Sequence, residues 1–90
     1  MDDFTELQRQ VGEWHADTFP EATQKQIRRK LLEEAAETMC ALPTGLAEEL
    51  ADVVLVCLTI AHRNEIDLLS AIEEKFEIVA GRDQVAREKR

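Results

Sequence analysis

Residues Lys30 to Asp52 read KLLEEAAETMCALPTGLAEELAD, and the reading of this stretch decides the fold. It carries two acidic clusters, Glu33-Glu34-Ala35-Ala36-Glu37 and Glu48-Glu49-Leu50-Ala51-Asp52, on either side of a break at Leu42-Pro43-Thr44-Gly45. Both flanks have helical composition, and residues three or four apart on a helix share a face. Glu34 therefore projects with Glu37, and Glu49 with Asp52. A break as short as Pro-Thr-Gly folds two helices back on one another, so that four carboxylates converge between them. Like charges in a dry crevice repel and lose hydration. A hard divalent cation, Mg2+ or Mn2+, relieves that cost because it prefers oxygen ligands. A carboxylate metal site is the central expectation.

Toward the C-terminus, the second cluster opens a helix predicted over Leu46 to Arg63. It is apolar nearly all round, through Val53, Val54, Leu55, Val56, Leu58 and Ile60. A helix of that kind is enclosed by protein. Asp52 lies inside this apolar run, and a buried carboxylate is paired, protonated or metal-bound. Arg63, on the same line of the helix as Glu49 and Asp52, keeps pairing open. On the preceding helix, Lys30, Glu34, Glu37 and Ala41 form a stripe beside the apolar stripe of Ile27, Leu31, Ala35 and Met39. Glu33 lies further round toward solvent. Taken alone, that acidic stripe reads as the solvated face of a Glu-rich helix, and Lys30 with Glu34 as an ordinary i,i+4 ion pair. The second cluster, set among apolar residues, is what turns the reading toward a functional site.

Toward the N-terminus, Phe4, Leu7, Val11 and Trp14 recur at helical spacing, which places Trp14 in the core or, if this helix borders the carboxylate site, in the wall of a ligand cleft. This first helix should stop near Asp17-Thr18-Phe19-Pro20, because proline disfavours helical geometry in the residue before it. The second helix starts at Thr18, with Glu21 completing a capping box, or at Thr23, and runs to about Ala41. Beyond the third helix, Asn64 is a suitable left-handed terminator and Asp67 a cap for a fourth. Leu69, Ile72, Phe76 and Val79 are its inner stripe, and Gly81 its end. The result is one all-α, four-helix domain over 1–82 with a polar tail over 83–90. Lys75 and Arg82 share a face if the helix reaches that far.

Composition narrows the function. The 90 residues include 11 Lys and Arg against 19 Asp and Glu, a formal charge of −8. That balance argues against binding DNA or RNA backbones, where affinity comes from neutralising phosphates. Cys40 and Cys57 sit in helical patterns without metal or redox spacing and read as buried thiols in a reducing compartment. The most apolar run, Leu50 to Ala61, is short of the roughly 20 residues needed to span a bilayer, and the start of the chain has no signal-peptide pattern. A soluble, cytoplasmic protein is expected. There is no Glu-x-x-His pair of the di-iron bundles, no P-loop and no EF-hand loop. His15 and His62 stand alone.

The pattern Glu33-Glu34-x-x-Glu37 followed by Glu49-x-x-Asp52 resembles the MazG-like all-α nucleoside triphosphate pyrophosphohydrolases. Trp14 with Thr18-Phe19, the Lys30-Leu31 entry, Glu49-Leu50-Ala51-Asp52-Val53, Ile66-Asp67-Leu68, and Lys75 with Arg82 extend the likeness from Val11 to Arg82. The sequence departs from the pattern at Val79, where many members carry Asn. The resemblance implies a MazG-type bundle and a Mg2+-dependent hydrolase, Mn2+ being a possible substitute, that cuts a nucleoside triphosphate into the monophosphate and pyrophosphate. It implies Glu34, Glu37, Glu49 and Asp52 as metal ligands, and Glu33 as the group that orients or deprotonates the attacking water. Lys30, Lys75 and Arg82 are implied as triphosphate contacts, and Trp14 and Phe19 as base-pocket residues. It also implies a homodimer or homotetramer with clefts built from two subunits. A dUTP- or dCTP-directed relative, or a non-catalytic helical interaction module, remains the alternative.

Overall fold

Asp2 starts the first helix, its carboxylate accepting the Thr5 N–H at 2.6 Å. The computed structural model describes residues 2–88 and the side chains of residues 2–82. Helix α1 (Asp3–Thr18) ends where Phe19-Pro20 predicts. Of the two starts open for the next helix, the chain uses Thr23. Its hydroxyl accepts the Gln26 N–H at 3.2 Å, and Gln26 Oε1 accepts the Thr23 N–H at 2.9 Å, a complete capping box. Helix α2 (Gln24–Cys40) is joined through a single turn of 3-10 helix, Pro43–Gly45, to α3 (Leu46–Arg63), whose bounds are those predicted.

The end of α3 differs from expectation in one residue. Ile66 N–H reaches Ala61 O at 2.8 Å and Glu65 N–H reaches His62 O at 3.2 Å, the two bonds of a Schellman stop. The left-handed residue in it is Glu65, with φ 56°, and Asn64 has φ −100°. The Asn64 side chain is engaged elsewhere, donating to Ile60 O at 2.8 Å and pairing with the Gln24 amide in both directions. The start of α2 is thereby tied to the end of α3, and the two helices run antiparallel.

Helix α4 (Leu68–Glu88) is capped by Asp67, whose Oδ1 accepts the Ser70 N–H at 3.1 Å. It passes through Gly81, the expected stop, because a glycine in an exposed helix costs only about 1 kcal/mol and no turn follows it. Positions 89 and 90 of the expected tail lie outside the described residues.

Helices α1 and α2 are arranged about α3, and among the described residues there is no strand. Helices α1 and α2 pack against α3, burying Ile27, Leu58 and Ala61. Helix α1 approaches α3 closely enough that a Cβ on Gly12 would fall 2.0 Å from His62 Cγ. Gln8, buried beside it, donates to Ile66 O at 2.8 Å. Helix α4 leans only lightly on α1 and projects from the body. The radius of gyration is 15.9 Å, against about 12 Å for a compact chain of this length.

That projection leaves apolar surface uncovered. Of the stripe expected to face inward on α4, only Leu69 is even half-buried, while Ile72, Phe76 and Val79 are exposed. Helix α3 is not enclosed by its own chain either, since Leu50, Val54 and Leu55 are exposed. Cys40, expected to be buried, is exposed, and Cys57 is half-buried with its thiol pushed up by burial. No helix of the described residues is long and apolar enough to cross a membrane.

Candidate functional site

The fold-back of α2 on α3 brings the two acidic clusters together. Glu34, Glu49 and Asp52 each offer a carboxylate oxygen, and the three oxygens lie within 4.8 Å of one another. Glu34 is buried, Glu49 half-buried and Asp52 exposed, so the group opens from the helix interface to solvent. Helical spacing explains the pairing within each helix. Between the helices, beside the short turn, stands Thr38, for which the sequence suggests no role. Its hydroxyl donates to Glu34 O at 2.8 Å, one turn back on α2, and also faces Glu49 O on α3 at 3.3 Å. A Thr four residues after a Glu has the commonplace i−4 back-bond as its usual reading, so nothing in the pattern marks the bond to α3.

Lys30 is the cation at this site. Its Nζ lies 2.9 Å from Glu34 Oε1 and 3.9 Å from Glu33 Oε2. The hydrogen bond to Glu34, then the Glu34 charge, pushes the Lys30 ammonium up. One lysine does not satisfy the acids. Glu34 Oε2 and Glu49 Oε2 are both buried without a hydrogen-bond partner, a condition that costs free energy unless a positive group answers it. Oxygen-only donors at this spacing, with orphaned lone pairs, fit a hard divalent cation.

Glu37 stands beside this trio and is exposed. The charge of Glu34 first, then that of the more distant Glu49, raises the Glu37 carboxyl above the usual carboxylate range. Glu33 is exposed next to Glu34, in the position helical geometry predicts. Arg63, considered as a partner for Asp52, turns elsewhere and donates to Ala22 O at 2.6 Å.

A cavity of about 290 Å³ adjoins the acids on the α1 side. Lys30 lines it and links it to Glu34; Phe19, His15, Gln26, Ile27 and Val56 form other parts of its wall. Trp14 is 59% exposed instead of in the core, because α4 does not reach over it. It meets Phe19 edge-on, ring centres 5.9 Å apart, and lines a neighbouring cavity with Leu7, Val11 and Leu55. His15 stacks at a tilt on Phe19 at 5.1 Å. Burial, then the Arg63 charge, holds its imidazole below the ordinary histidine value.

The remaining expected contacts are not assembled in one chain. Lys75 lies on α4 in an apolar groove with Ile72, Phe76 and Val79, and Arg82 is exposed further along the same helix. Among the described residues, neither forms an ion pair with the acids of α2 and α3.

Compared with known proteins, residues 4–78 match the family described as phosphoribosyl-ATP pyrophosphohydrolase. Neither a curated protein nor a solved structure matches the chain.

Proposed function

The chain belongs to the phosphoribosyl-ATP pyrophosphohydrolase family, and from that premise we propose that it is a Mg2+-dependent hydrolase that cuts a nucleoside triphosphate between its α and β phosphates. This all-α family is related to the MazG-like enzymes and is not MazG itself, so membership carries the reaction class, nucleotide pyrophosphohydrolysis, and leaves the substrate to be assigned. The observation that carries the proposal is the pair of orphaned buried oxygens on Glu34 and Glu49 within a three-acid cluster.

Glu34, Glu49 and Asp52, with Glu37 beside them, would hold the cation. When bound, such a cation neutralises phosphate charge and lowers the pKa of water. Glu33 is exposed, adjacent to the ligands and not needed as one; it orients the attacking water and takes up its proton. Lys30, already at the acids, contacts the phosphates. The aromatic group of Trp14 and Phe19 offers faces on which a base can stack.

Uncovered apolar residues on α3 and α4 support a homodimer or homotetramer, since exposed patches of this kind mark interaction surfaces. Lys75 and Arg82 then serve a triphosphate from the α4 of a second subunit. The enzyme is placed in the cytoplasm, where nucleoside triphosphates are found.

A nucleotide panel tests the reading. Phosphoribosyl-ATP, named by the family, and the ordinary ribo- and deoxyribonucleoside triphosphates present the same triphosphate to the acids and differ at the base or the sugar. Pyrophosphate release with Mg2+, and none with EDTA, is the expected result for at least one of them. A preference confined to dUTP or dCTP would assign the narrower alternative. No hydrolysis of any nucleotide, with no effect of Mg2+ on melting, would leave only a helical interaction module.

A further inference from the structure

Resting on that reading, we infer that Gln26 is the residue that reads the nucleobase, donating its side-chain NH2 to a hydrogen-bond acceptor on a base held in the cavity between α1, α2 and α3. The cavity's volume, about 290 Å³, is at the lower edge of small-molecule sites, about 300–1,000 Å³, which suits a base and not a whole nucleotide. It touches the acidic cluster through Lys30, so a base seated there leaves its phosphates on the side of Glu34. The wall is mainly apolar and aromatic, with Phe19, Ile27 and Val56 able to hold any base by stacking and contact but unable to tell one from another. Discrimination needs a polar group with a fixed direction.

Gln26 is such a group. Its Oε1 accepts the Thr23 N–H at 2.9 Å as part of the capping box that starts α2. That bond settles which end of the amide faces the backbone and leaves Nε2, a donor only, on an exposed side chain that lines the cavity. Among the described residues Nε2 has no protein partner. One side chain therefore caps the helix with its oxygen and addresses the ligand with its nitrogen. The cap bond already restrains the side chain, which lowers the rotamer freedom lost on binding.

The two roles separate by substitution. Gln26→Glu keeps the cap, because a Glu at this position is the standard capping-box acceptor, and replaces the donor by a second acceptor. Gln26→Met removes the donor without adding charge and also loses half of the cap. For the nucleotide the wild type hydrolyses best, both variants are expected to raise KM about tenfold, the worth of one hydrogen bond of about 1.4 kcal/mol, with kcat nearly unchanged. Melting temperature should fall only for Gln26→Met. A purely structural Gln26 would lower melting in Gln26→Met and leave KM unchanged in both, which overturns the assignment.

A second measurement reads the cavity apart from the reaction. Nucleoside monophosphates titrated without metal should shift the Gln26 side-chain amide resonance in a saturable way. That shift supports the assignment even if no triphosphate is hydrolysed. A silent amide overturns it even if hydrolysis proceeds.

Discussion

Gly12 on α1 faces His62 on α3 so closely that a methyl group on Gly12 would lie 2.0 Å from His62 Cγ. The glycine is needed for this approach and not for its backbone, since no described glycine has positive φ. Gly12→Ala should destabilise the fold by about 1–3 kcal/mol, the usual cost of overpacking. Thermal unfolding would show a drop of about 4–8 °C for each kcal/mol in a domain of this size. Trimming the partner in Gly12→Ala/His62→Ala should recover part of the loss. An unchanged melting point in Gly12→Ala alone would mean that α1 does not pack here.

The crowding of Glu37 by Glu34 and Glu49 gives a pH signature. Its folded-state carboxyl lies above the ordinary 4.5, so the folded chain holds this proton more tightly than the unfolded chain. Its contribution to stability is full below about that ordinary value and is lost as pH rises through the raised one. In EDTA, wild type should therefore lose stability across that window relative to Glu37→Gln. Asp2 and Glu6, both held below their ordinary values by hydrogen bonds from Thr5 and Arg9, act in the opposite sense in both proteins and cancel in the difference. Thermal melts of the two proteins at matched pH check this. A constant difference across the window would show that Glu37 does not interact with its neighbours.

Much of this arrangement is legible in the sequence, for reasons that differ by residue. The bounds of α3 follow from Pro43-Thr44-Gly45 on one side and the end of the apolar run on the other, both local signals. The meeting of Glu34 with Glu49 and Asp52 follows from helical spacing plus one short turn. What the sequence does not disclose depends on tertiary contacts. Asn64 has the composition of a left-handed stop, but its side chain is committed to Gln24, 40 residues away, and Glu65 takes the strained position. Trp14 has the spacing of a core residue because an apolar stripe shows which face is buried but not whether another helix arrives to bury it. The same is true of Phe76, which is 70% exposed. Gly81 reads as a helix end only where a turn follows.

The uncovered faces predict assembly. Sedimentation at micromolar concentration should give a dimer or tetramer, and Phe76→Glu, which places a charge on the exposed α4 stripe, should shift it toward monomer. A wild-type chain that sediments only as monomer would contradict the second-subunit role given to Lys75 and Arg82.

The acids should be separable from the fold. Asp52→Asn, equal in volume and lacking the charge, should abolish Mg2+-dependent hydrolysis and the Mg2+-induced rise in melting temperature while leaving the helical circular dichroism intact. In EDTA the variant should melt no lower than wild type, because a charge near Glu34 and Glu49 has been removed. Near-normal activity in Asp52→Asn would make this acid structural.

The most direct test of the central claim, water attack at the α phosphorus from the carboxylate centre, is the fate of labelled oxygen. The best nucleotide of the panel is hydrolysed with Mg2+ in 18O-labelled water, and the products are separated and read by 31P NMR and mass. One 18O is expected in the nucleoside monophosphate and none in the pyrophosphate. Label in the pyrophosphate, or release of inorganic phosphate with a nucleoside diphosphate, would contradict it.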